Sequence, residues 1–212
     1  MTKKRLVLAI LFILPLVAYL FFSSGINNFA KLPKLKNNIS TLEQLSEGSA
    51  VDFEKKITLL SFFGKDFDTK KVYAFNVKEK IYDRYHEFKD FQVVSVITPD
   101  QVQKINDFKA EIDKTSSSKN WKFIVLEPDN IKKLFRSLNT DLSLDQNLAT
   151  NLMFIIDKNL SLRGRSDDED EGIKFGYDMS NIAEISDKFN DDVKIILAEY
   201  RLALKKYKAE RQ

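Results

Sequence analysis

The sequence predicts an α/β fold, a mixed sheet flanked by helices, preceded by an N-terminal transmembrane helix. Three patterns carry this expectation. From Val51 onward, apolar runs of strand length alternate with stretches whose apolar residues recur at helical spacing. Asp157-Lys158-Asn159 then interrupts the alternation with hairpin chemistry, which makes the last two strands antiparallel. At the other end of the chain, Thr2-Lys3-Lys4-Arg5 precedes an unbroken apolar run from Leu6 to Phe22.

That apolar run would span roughly 25 Å as a helix, slightly short of a ~30 Å hydrocarbon core. Ser23, Ser24, Gly25 and Ile26 can extend it. The flank Phe21-Phe22-Ser23-Ser24-Gly25 lacks the small-x-small pattern of a signal cleavage site, and no Cys follows that could be lipidated. Residues 1-26 are therefore expected to form an uncleaved single-pass anchor in the cytoplasmic (inner) membrane. The basic cluster would keep the N-terminus inside and place the rest of the chain on the periplasmic side. Residues 27-50, with Asn27-Asn28, Lys31, Pro33, Lys34, Lys36-Asn37-Asn38 and Ser40, read as a solvated tether, with a helical turn at Thr41 to Leu45.

Residues 51-212 make one domain. Ile57 to Phe63 is β-branched and aromatic, a central strand ending at Gly64. A helix from about Lys71 to Phe88 places Val77, Ile81, Tyr85 and Phe88 on one face. Phe91 to Thr98 is the second strand, and Pro99 to Lys114 a helix with Val102, Ile105, Phe108 and Ile112 in a stripe. Trp121 to Leu126 is the third strand, followed by a short helix carrying Ile131, Leu134, Phe135 and Leu138. After a loop over residues 139–150, Leu152 to Ile156 and Leu160 to Arg163 form the hairpin. A final helix from Asn181 to about Tyr207 presents Ile182, Ile185, Phe189, Val193, Ile196, Leu197, Tyr200 and Leu204, with basic residues crowding its carboxyl end. The order β-α-β-α-β-α-β-β-α is the thioredoxin-like arrangement.

Composition excludes more chemistry than it suggests. Cysteine is absent, which removes disulfides, thiolate metal sites and thiol redox couples. One His and three Met leave no imidazole cluster and no Met-rich copper site. A net charge of +3, evenly mixed, gives no basis for nucleic-acid binding.

The turn after the central strand is where an α/β domain usually places its chemistry. Here it offers Lys65, Asp66, Asp68 and Thr69. Two carboxylates alone do not make a cation site, and no feature of the sequence tunes them for acid–base work. His86, on the flank of its helix, reads as a half-exposed structural residue. Asp167-Asp168-Glu169-Asp170-Glu171 lacks the ligand spacing of an EF-hand and reads as a solvated loop.

In order and spacing the chain resembles the Sco/SenC family. The resemblance includes the anchor followed by Ser24 to Pro33, the strand Ile57 to Phe63, Val93-Val94-Ser95-Val96 and Trp121-Lys122-Phe123. Its most specific segment is Met153-Phe154-Ile155-Ile156-Asp157-Lys158-Asn159-Leu160-Ser161-Leu162-Arg163-Gly164, like the family's Ile-Asp-Lys…Arg-Gly hairpin. The resemblance implies a thioredoxin-like fold and copper-site assembly for cytochrome oxidase, with two Cys in a Cys-x-x-x-Cys loop and a distal His as ligands. Gly64 to Lys71 contains no Cys, and the region of Leu148-Ala149-Thr150, where the distal His should fall, contains no His. The expected protein is a membrane-anchored, non-catalytic Sco-like binding or assembly factor linked to respiratory cytochrome c oxidase biogenesis. It has no catalytic residue, metal site or cofactor. Its partner would be an oxidase subunit or assembly factor, a link that rests on the resemblance alone. The alternative is an envelope protein-interaction module unrelated to copper or oxidase.

Overall fold

The computed structural model describes residues 3–24, 30–41 and 51–209 of the chain. These fall into two compact units, Met1–Ala30 and Lys31–Gln212. The first contains α1 (Lys3–Ser24), with Pro15 inside it. Its apolar side chains lie open: Leu11, Phe12 and Tyr19 are 66%, 69% and 69% exposed. Counted over the described residues, no helix is long and apolar enough to cross a membrane.

The second unit is built on a mixed sheet. A short strand, β1 (Lys34–Lys36), precedes the central β2 (Ile57–Gly64), which is buried along its whole length. Burial on both faces explains why β2 reads as a continuous apolar run without alternation. It pairs parallel with β3 (Phe91–Ile97), and β3 pairs parallel with β4 (Trp121–Val125). On its other side β2 pairs antiparallel with β5 (Leu152–Ile156), followed by β6 (Leu162–Arg163) and then β1 at the edge. A two-stranded ribbon of β7 (Arg165–Asp168) and β8 (Gly172–Lys174) stands apart, and β9 (Tyr177–Asp178) pairs with the start of β5.

Strand alternation divides the core between the two faces. Leu59, Phe63, Val93, Met153 and Ile155 face one side. They meet α2 (Phe67–Val77), α3 (Val102–Ile112) and the C-terminal helix α5 (Asn190–Ala209). Leu60, Phe62, Val94, Phe154 and Ile156 face α4 (Pro128–Ser137) and its buried Ile131, Leu134 and Phe135. Three polar groups buried within the sheet satisfy one another: Trp121 Nε1 donates to Ser95 Oγ at 3.0 Å, which lies 2.9 Å from Ser61 Oγ. Both long helical segments contain a π turn, at Lys78–Tyr82 after α2 and at Ile185–Phe189 before α5.

Several expectations change. The tether is described at residues 30–41, and there it belongs to the domain. Lys34 and Lys36 pair with Arg163 and Leu162, and Leu32 and Ile39 are buried. Ile39 N donates to Leu160 O at 3.0 Å, and Gly164 N to Pro33 O at 3.2 Å. The cause is the free edge of β6, whose backbone groups would otherwise lack partners. The turn expected from Thr41 to Leu45 lies mostly outside the described residues. The acidic run is not a simple solvated loop: Asp168 is buried at the end of β7, with Lys188 Nζ 2.8 Å from its carboxylate. The first long helix starts at Phe67, four residues before Lys71, because Phe67 enters the core instead of continuing the turn. Phe88, Val102 and Ile182, placed on buried stripes by their spacing, are exposed.

Candidate functional site

The carboxyl end of β2 is closed by backbone. Gly64 adopts φ +49°, and a Cβ there would lie 2.1 Å from Asn147 O and 2.5 Å from Leu148 O. Only glycine permits this approach. The loop before β5 uses it: Lys65 N donates to Asn147 O at 2.9 Å and Thr150 N to Phe62 O at 3.0 Å. Asp145 shapes that loop by accepting from Asn147 N at 2.8 Å and Ala149 N at 2.9 Å. On the other flank, Thr98 donates to Gly64 O through both N and Oγ1, at 3.1 and 3.0 Å.

Beneath this seam the first turn of α2 is packed with rings. Phe67 is fully buried, its ring centroid 5.3 Å from Phe63, 5.3 Å from Phe108 and 5.9 Å from Phe123, all edge-to-face. One turn later Lys70 is also buried; its ammonium donates to Asn151 Oδ1 at 2.7 Å and lies 3.9 Å from Asp145 Oδ2. That pairing meets the requirement that a buried charge be compensated.

What remains on the surface is a small mixed-charge patch. Lys65, Asp68 and Thr69 are exposed and Asp66 is half-buried. Asp68 is ion-paired with Lys104 of α3. Beside it, a hydrogen bond from Thr98 and a second from Gln101 hold the Asp100 carboxyl below its usual range. The structure thus brings Lys65, Asp66 and Asp68 to one surface but shows no arrangement of nucleophile and base among them.

The resemblance to a copper-delivering family can be tested on these groups. Cu(I) requires thiolate or thioether ligands, and this end of the fold presents a phenyl ring, an amide-bound ammonium and carboxylates. The residues do not fit copper. Among the described residues, no group of three or more His, Cys, Asp or Glu side chains could hold a metal ion. His86 sits on the far part of the α2 segment, stacked on Tyr82 with centroids 5.3 Å apart and Nδ1 3.2 Å from Tyr82 O.

The hairpin that carries the resemblance is a structural clamp. Asp157, fully buried, accepts from Asn159 N and Ser161 N at 2.9 Å each and so sets the turn. Its other oxygen accepts from Arg163 Nη1 at 2.9 Å. Arg163, 1% exposed, also donates to Leu32 O through Nε at 2.8 Å and to Glu199 Oε2 at 2.6 Å. One guanidinium therefore joins the segment just before β1, the hairpin and α5. A neighbouring cluster does the same for the ribbon. Arg165 Nε and Tyr177 Oη donate to Asp192 Oδ2 at 2.7 and 2.5 Å, and Lys188 Nζ donates to Asp168 Oδ1 at 2.8 Å. Burial, reinforced by Asp192, pushes the Tyr177 phenol far up, so it stays neutral. Sequence reasoning missed both clusters. For the second, the available signal was three basic residues, Arg165, Lys174 and Lys188, set among the acidic residues of 165–192.

Fold and site together define a thioredoxin-like domain whose usual reactive corner is sealed by backbone and filled with aromatic core. No family model matches the chain, and no curated protein does. Solved structures similar to it include a SCO1/SenC family lipoprotein from Bacillus anthracis str. Ames, at 17% identity over 84% of this chain and 99% of that one, with a TM-score of 0.47. BsSco, a member of the Sco family of cytochrome c oxidase assembly proteins, is similar at 13% identity over 77% and 92%, with a TM-score of 0.48. A thioredoxin-family thiol:disulfide interchange protein from Chlorobium tepidum TLS is similar at 14% identity over 82% and 99%, with a TM-score of 0.38.

Proposed function

We propose that this protein is a membrane-anchored, non-catalytic Sco-like binding factor that works by protein contact and binds no copper of its own. The observation that carries the reading is the sealed corner: Phe67 and Lys70 are buried and held, and only Lys65, Asp66, Asp68 and Thr69 face outward. A surface of mixed charge on a rigid strand end suits recognition of a partner better than chemistry. The anchor is supported by Lys3-Lys4-Arg5 before the apolar run and by the open apolar side chains of α1, which an aqueous setting would penalise. The same basic cluster favours a domain on the periplasmic side. A role in respiratory oxidase biogenesis rests on the hairpin and strand resemblance in the sequence. Capture from detergent-solubilised membranes with the full chain is the test. Oxidase subunits or assembly factors should be retained, and Lys65→Glu combined with Asp68→Lys should release them. Capture of envelope proteins with no oxidase component, released by the same pair of changes, would favour the general interaction module instead.

A further inference from the structure

The opposite end of the sheet carries a second feature, independent of the sealed corner. Where β2 and β3 begin, a cleft of about 270 Å³ is floored by Ile57, Phe88, Leu197 and Tyr200. Lys89, Asp90, Lys158 and Arg201 form its rim. Among the described lining residues Asp90 is the one carboxylate, and Lys158 already neutralises it at 2.6 Å. The same ammonium lies 5.2 Å from the centroid of the Tyr200 ring. Lys56 Nζ donates to the Lys89 carbonyl at 2.8 Å. Lys89 and Arg201 have no carboxylate partner among the described residues. Phe88 is 42% exposed although a helical stripe leads up to it. The Tyr200 phenol is pushed up to about 12, first by burial and then by the nearby Asp157 carboxylate, which Arg163 pairs with at 2.9 Å.

An apolar floor draws hydrocarbon out of water, and cations at its mouth with no carboxylate partner among the described residues favour an anion there. A neutral apolar ligand would leave the guanidinium and ammonium without a counter-charge. A small inorganic anion would leave the floor wet. Both features are used at once by a molecule with an anionic head and an aliphatic chain. We propose that this cleft binds the anionic head and one aliphatic chain of an amphiphile, with its carboxylate or phosphate on Arg201 and Lys89 and its chain on Phe88 and the Tyr200 ring, above buried Ile57 and Leu197. Such a head and chain can belong to a free fatty acid or to an anionic lipid in a bilayer.

Titration calorimetry of residues 30–212 at low ionic strength with decanoate tests this. That span holds both core clusters and the edge strand β1, so it folds without α1. Decanoate should bind saturably at one site. Arg201→Glu with Lys89→Glu, both at exposed positions, should weaken it by about tenfold or more while leaving the thermal melt unchanged. Phe88→Ser should also weaken it. Sedimentation with phosphatidylcholine vesicles containing phosphatidylglycerol, reversed by decanoate, would assign the head to a bilayer lipid. Decanoate binding without sedimentation would assign it to free fatty acid. No saturable decanoate binding, equal binding by the charge-reversed variant, or equal binding of 1-decanol would overturn the proposal.

Discussion

If the corner at the end of β2 is core and not a vacated metal site, Phe67→Ala should be among the more damaging single changes in the protein. Phe67 has no exposed surface and packs edge-to-face on Phe63, Phe108 and Phe123. Removing a buried phenyl costs about 3–5 kcal/mol, the transfer term plus the cavity left behind. Three ring contacts, each adding about 0.5–1.5 kcal/mol beyond area, favour the upper part of that range. Near the midpoint this corresponds to a Tm lower by roughly 6–20 °C for a domain of this size. Thermal melts of residues 30–212 followed by circular dichroism would read it. Val72→Ala, at a 56% exposed position on the same helix, serves as the control and should stay within about 0.5 kcal/mol. A Phe67→Ala melt matching wild type would mean that the ring does not fill the corner, and the argument for a sealed site would fail.

Other outcomes follow from the same contacts. A chain starting at residue 40 should be less stable than one starting at 30 by about 3–6 kcal/mol, since it lacks buried Leu32 and Ile39; equal melts would show β1 undocked. Arg163→Ala should cost about 3–5 kcal/mol because it leaves the Asp157 carboxylate buried without its cation. Arg163→Lys should recover only part of that, as an ammonium cannot reach Leu32 O, Asp157 and Glu199 together; full recovery would argue against the clamp. The Asp168 carboxyl is held below its ordinary 3.8, first by the hydrogen bond from Lys188. Its folded value is depressed, so its stabilising contribution is present above pH 3.8 and is lost as pH falls through the folded value. Asp168→Asn should therefore be less stable than wild type at pH 7, with the gap narrowing on acid titration; a gap that widens below pH 3.8 would contradict the pairing.

The parts legible in the sequence are those where burial leaves a periodic trace. β2, β3 and β5 read as apolar runs because both faces are covered, and α4 reads from Ile131, Leu134, Phe135 and Leu138. The misplaced parts are held by single contacts that leave no period. Three residues of β1 are too few for alternation to register, and Lys34 and Lys36 look solvated although their backbone completes the sheet. Asp168 is hidden within a run of five acids, where only its position opposite Lys188 sets it apart. The π turn at Ile185–Phe189 shifts the helical phase and leaves Ile182 outside the stripe it was expected to join. At the candidate site the missing thiols are visible in the sequence. That Phe67 points inward, and that Gly64 lets the 145–150 loop seal the strand end, depends on packing between segments distant in the chain.

Competition for Cu(I) between residues 30–212 and a chelator of known affinity tests the central claim most directly. With a ring and a tethered ammonium at the strand end and no cysteine in the chain, all of the copper should stay with the chelator. Retention of one Cu(I) per chain against that competitor would contradict the account and return copper handling to this fold.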